Sequence, residues 1–133
     1  MCGICGIHYA DSARAVEHAT LVRMALVPRV LEARGLDVTP AMIMRLQQAG
    51  DADSAAVLET ILRDEIGHVQ AGTRWFQYVC RQRGLDPLET FRSLLAEYAP
   101  GRIRAPFNEG ARRQAGFGSD EMALLEELAR STR

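Results

Sequence analysis

Apolar residues recur at helical spacing along most of this chain, and no stretch shows the alternation of a half-buried strand. In residues 12–34, Leu21, Met24, Ala25, Val27, Pro28 and Leu31 line one side and Gly35 follows, so an amphipathic helix ending at a glycine C-cap is expected. Pro28 should bend it locally. Thr39 precedes a proline, which disfavours helical backbone there, so residues 36–39 are expected to be extended and 40–49 to form a short connecting helix closed by Gly50. Asp51 or Asp53 can cap a long helix that meets no breaker until Gly84. At ~1.5 Å per residue it would be about 45 Å long, the length of a bundle helix. Asp86 with Pro87 starts another helix reaching Tyr98, and residues 99–107, with Pro100, Gly101 and Pro106, make a loop. A last helix runs from Ser119 or Asp120 to Arg130. The expected fold is an all-α domain over residues 12–133, preceded by an irregular head over residues 1–11.

Composition changes this picture little. With 133 residues, 47% hydrophobic and 25% charged, the chain suffices for one core and not for two ordinary domains. A net charge of −1 and scattered arginines offer no basic stripe, so no nucleic-acid partner is expected. No apolar run is long enough to span a bilayer and residues 1–10 lack a secretory pattern, so the expectation is no membrane and a cytoplasmic location. Three cysteines, Cys2, Cys5 and Cys80, fit reduced thiols better than a disulfide framework.

Candidate chemistry lies where charge interrupts an apolar stripe. On a wheel of ~100° per residue, Leu58, Ile61, Leu62, Val69, Gly72, Phe76 and Val79 fall within about 60° of Glu65. His68, three residues on, is its neighbour one turn away. In the first helix Glu32 interrupts a stripe that includes Leu21, Ala25 and Pro28, with His18 on the same side. A buried carboxylate needs a partner, a metal or a proton, because stranding it costs several kcal/mol.

Dinuclear carboxylate sites of ferritin-like bundles take a glutamate from each of two helices and a Glu-x-x-His pair from each of the other two. This chain has one of each, Glu32 and Glu65-x-x-His68. One protomer would supply half of the ligands, and a twofold homodimer would complete a site for two ions. Carboxylate and imidazole donors suit iron or manganese. Glu-x-x-His alone is a weak motif, and a metal-free network of the same carboxylates with Arg29 or Arg34 competes with it. Glu32 near a helix end and Glu65 well inside its helix would be misaligned by a tight hairpin, and the 40–49 connector is expected to correct this by carrying the chain back along the bundle axis.

The phrases Val27-Pro-Arg-Val-Leu-Glu-Ala-Arg-Gly-Leu-Asp-Val-Thr-Pro40, Ile61-Leu-Arg-Asp-Glu-Ile-Gly-His-Val69 and Arg74-Trp-Phe76 closely resemble the ferritin-like domain-of-unknown-function family numbered four-five-five. The resemblance continues through Pro106-Phe-Asn-Glu-Gly-Ala-Arg112 and Ala115-Gly-Phe117, and covers roughly residue 21 to the C-terminus. It implies a ferritin-like bundle with Glu32, Glu65 and His68 as metal ligands, and it assigns no reaction. The resemblance also implies a further N-terminal helix pair with the other glutamate and the other Glu-x-x-His, which is not expected in these residues, so dimerisation or degeneracy is the expectation.

Two classes of function therefore compete. One is a dimeric di-iron protein that oxidises ferrous iron or an organic substrate with oxygen; the other is a metal-free helical interaction module. A transfer-RNA-modifying di-iron hydroxylase has fold analogy alone behind it. Met1-Cys2-Gly3-Ile4 resembles the start of class II glutamine amidotransferases, but nothing downstream fits their fold. Cys2, Cys5 and His8 lack a fourth ligand for structural zinc. Trp75, Phe76 and Tyr78 are expected in the core, Cys80 as an inert buried thiol, and Asn108, Arg112 and Arg113 in a hydrogen-bonded clasp.

Overall fold

Two prolines and two glycines decide the course of the first half of the chain, which the computed structural model describes from residue 18 as part of residues 18–131. Helix α1, His18–Leu26, passes into a π-helical turn, Val27–Glu32, and then into α2, Ala33–Gln48. The expected stop at Gly35 does not occur, residues 36–39 are helical rather than extended, and the separate connector is absent. A single helical rod runs from His18 to Gln48.

Pro28 opens the π turn. Its ring would crowd the carbonyl four residues back in a regular helix, and the wider turn relieves that conflict. The Ala33 amide accordingly bonds to the Pro28 carbonyl five residues earlier. Pro40 lies inside α2 and has no amide to donate to the Leu36 carbonyl. That carbonyl instead accepts a hydrogen bond from the Asn108 side chain at 3.1 Å. A group 72 residues away thus replaces the bond that proline deletes.

Gly50, with φ of 81°, turns the chain into α3, Ala52–Gln82, whose N-cap Asp51 accepts from the Ser54 amide at 3.0 Å. The two long rods pack antiparallel. Gly72 faces Pro28, and a Cβ on that glycine would lie 2.3 Å from the proline ring. Gly35 faces the Glu65 side chain, so its small size leaves room across the seam instead of ending a helix.

Gly84, at φ 64°, ends α3 as expected, and Asp86 caps α4, Pro87–Tyr98, through the Glu89 amide at 2.9 Å. Residues 99–107 form the expected loop, and α6 is Ser119–Ser131. Sequence periodicity missed α5, Glu109–Gln114, which is too short to show a period and is capped by Asn108 through the Ala111 amide. No strand occurs among the described residues. None of their helices is long and apolar enough to cross a membrane.

Leu36, Val69, Phe76, Phe91, Leu95, Phe117 and Leu124 belong to one buried cluster that joins both rods to the C-terminal helices. The expected clasp forms with Asn108 and Arg112, but not with Arg113, which among the described residues bonds only to nearby Glu109 and Ser119. Arg112 grips Asp37 with two bonds, Nε to Oδ1 at 2.9 Å and Nη2 to Oδ2 at 2.7 Å. Arg34 donates to the carbonyls of Arg104 and Pro106.

Among the described residues, several apolar side chains of the hairpin remain exposed. Val57, Ile61 and Trp75 of α3 stay exposed, although buried Val79 falls at the same angle as Ile61 on the helical wheel. Ile61 is 49% exposed and Trp75 57%. Leu31, Val38 and Met42 of the first rod are exposed as well. The expectation that all three aromatics at 75–78 enter the core therefore holds for Phe76 alone, since Trp75 and Tyr78 lie at the surface with their rings edge to face.

Candidate functional site

Glu32 ends the π turn, and Glu65 and His68 stand near the middle of α3. Pro28 against Gly72 and Gly35 against Glu65 establish the register of the two rods, and interpolation between those contacts puts Glu32 level with His68. The hairpin is tight and yet aligned. The first rod runs 16 residues beyond Glu32 and α3 runs 13 residues before Glu65, about 24 and 20 Å at ~1.5 Å per residue. The misalignment expected from sequence came from ending the first helix at Gly35, and no connector is needed to correct it.

Glu65 Oε2 lies 3.3 Å from His68 Nδ1, an i,i+3 contact within one face of α3. The Glu65 side chain is 18% exposed and that of His68 35%, so the pair sits at the margin of the core and not within it. Burial raises the pKa of Glu32, the nearby Glu65 carboxylate raises it further, and His68 opposes the shift. The three groups therefore share one electrostatic environment across the α2/α3 seam. They remain a partial donor set: among the described residues no group of three or more His, Cys, Asp or Glu side chains is arranged to hold an ion. Two carboxylates and an imidazole are nonetheless donors of the type that iron and manganese accept, and such an ion would need further donors from outside these residues.

The competing arginine network takes other partners. Arg29 pairs with Glu121 of α6, and Arg34 contacts Asp37 and two loop carbonyls. Neither Glu121 nor Asp37 was identified from sequence, because each lies far along the chain from its main arginine partner. His18 faces away from the site, with Nε2 3.4 Å from the Tyr98 hydroxyl. Cys80 is free and fully buried, and burial raises its pKa, which keeps the thiol protonated. Arg113 pairs with Glu109 at 2.7 Å. Cys2, Cys5, His8 and the head over residues 1–11 lie outside the described residues.

An uncharacterised protein of Haemophilus influenzae is 43% identical over 118 residues, covering 89% of this chain and 41% of the relative. The chain thus spans about two-fifths of the length of the relative it matches. No solved structure matches it. The family model described as "Protein of unknown function (DUF455)" matches residues 7–123, beginning ahead of the residue 21 at which the resemblance was first legible. With the two long rods, the candidate ligands and the Asn108–Arg112 clasp all inside the matched stretch, the chain belongs to the DUF455 family.

Proposed function

We propose that this chain is half of a ferritin-like dinuclear carboxylate protein in which Glu32, Glu65 and His68 of two copies hold two iron or manganese ions. The observation that carries this is the alignment of Glu32 with the Glu65–His68 pair across the α2/α3 seam, beside an exposed apolar face. The electrostatics agree with it. A cation between Glu32 and Glu65 would relieve the repulsion that raises the Glu32 pKa. The exposed stripes of α2 and α3 are the surface a second copy would cover, and an isologous contact presents the same three ligands twice.

When bound, the metal pair would supply oxygen-dependent oxidation, of ferrous iron or of an organic substrate. Of the chain's own groups, Glu65 is the more buried and His68 the more open member of the pair, and both influence the charge of Glu32. The test is metal analysis of the purified oligomer after aerobic and anaerobic iron loading. A dimer with about one iron per chain, lost in Glu65→Ala, is expected. Equal metal in that variant rejects the assignment.

A second reading rests on the same bare face together with the partial donor set. In it the face receives another helical segment and no metal is involved. A metal-free dimer, or a monomer stable only with a partner, would favour it.

A further inference from the structure

The π turn that ends in Glu32 also ties the hairpin to the tail of the chain. Arg29, three residues before Glu32, is fully buried, and its guanidinium pairs with Glu121 of α6. Phe76, Phe91 and Phe117 surround it, with ring centroids 4.8, 4.1 and 4.9 Å from Cζ. Among the described residues, Nε and Nη1 meet no hydrogen-bond partner, so the charge depends on Glu121.

An arginine there is a costly way to fill an aromatic box. An apolar side chain of similar volume would avoid the desolvation, so packing alone does not account for the ion pair. Backbone geometry accounts for it. In a regular α-helix, residues three apart share a face, which would draw Arg29 and Glu32 to the same side. The wider π turn separates them, so Arg29 enters the core while Glu32 stays at the seam. Pro28, held against Gly72, restrains one side of that turn, and Glu121 restrains the other through Arg29.

We propose that Arg29 is a positioning residue: its pair with Glu121 holds the π turn open, so that helix α6 sets the alignment of Glu32 with Glu65 and His68. The consequence for metal binding rests on the function proposed above; the latch itself does not.

The test uses the full chain with Arg29→Met, Glu121→Gln and Arg29→Lys, and with Leu95→Ala as a control that weakens the same core while leaving both members of the ion pair in place. Hydrogen exchange of metal-free protein is followed by mass spectrometry over residues 27–37, against residues 52–60. Arg29→Met and Glu121→Gln should accelerate exchange over 27–37 by about tenfold or more relative to 52–60, while Leu95→Ala leaves that ratio unchanged. Arg29→Lys should restore part of the protection. Titration with cobalt(II) should show about tenfold weaker binding and a changed visible spectrum in the first two variants. Wild-type exchange over 27–37 in both variants overturns the proposal, as does an opened turn with unaltered cobalt affinity and spectrum. If the wild-type chain binds no cobalt, the metal site is what fails, and exchange alone decides the latch. If Arg29→Met does not fold, the shape-preserving Glu121→Gln decides it.

Discussion

Glu32 is a carboxylate whose folded surroundings favour its neutral form: burial removes water from it and Glu65 adds a like charge. Its pKa lies above the ordinary 4.5, which reverses the usual link between acidic groups and stability. Between the ordinary value and the raised one, the folded chain holds more protons than the unfolded chain, so stability falls as pH rises through that interval. Glu32→Gln removes the charge and keeps the shape. Metal-free Glu32→Gln is expected to melt at a higher temperature than wild type at neutral pH, with the difference vanishing once pH drops below the ordinary carboxylate range. Thermal melts across pH check this, and an equal gain at every pH would trace the effect to something other than the charge. Glu32, Glu65 and His68 could be picked out from sequence because each breaks an apolar period. Arg29 stood out as a candidate ion-pair partner, but its pairing with Glu121 did not, since it depends on two helices meeting 92 residues apart.

At the scale of elements, the prolines separate what local propensity decides from what packing decides. Pro87 behaves as its sequence position indicates, in the first turn of α4 beside an aspartate cap. Pro40 does not. Taken alone, Thr39-Pro40 and Gly35 mark a helix boundary, yet α2 continues through both because Asn108 satisfies the freed Leu36 carbonyl and Arg112 anchors Asp37 one turn away. The structure therefore predicts coupling between Pro40 and Asn108. Asn108→Ala should cost about 1–3 kcal/mol, since it leaves a carbonyl unpaired and removes the α5 cap. In a Pro40→Ala background, the new Ala amide can serve Leu36, and the same substitution should cost less. A double-mutant cycle by urea unfolding measures the difference; strict additivity would show that Asn108 acts through its cap alone.

On the scale of the whole molecule, the C-terminal helices cover one side of the hairpin and leave the other with Leu31, Val38, Met42, Val57, Ile61 and Trp75 exposed. These are the apolar side chains that the proposed second copy would cover. If a second copy covers it, Ile61→Asp places a charge in that contact and should convert a dimer into a monomer by light scattering, with helical content kept. An unchanged dimer would place the contact elsewhere on the molecule.

Helical class, the caps at Asp51 and Asp86, the glycine turns at Gly50 and Gly84, and the three candidate ligands were all legible along the chain, because caps, turns and apolar periods are local properties. Continuity of the first rod, the π turn, the alignment of Glu32 with His68 and the exposure of Trp75 were decided by tertiary structure. Continuity through Pro40 depends on the contact of Leu36 with Asn108, alignment of the ligands on that of Pro28 with Gly72, and exposure of Trp75 on which side of the hairpin the C-terminal helices cover, all relations between residues far apart in sequence.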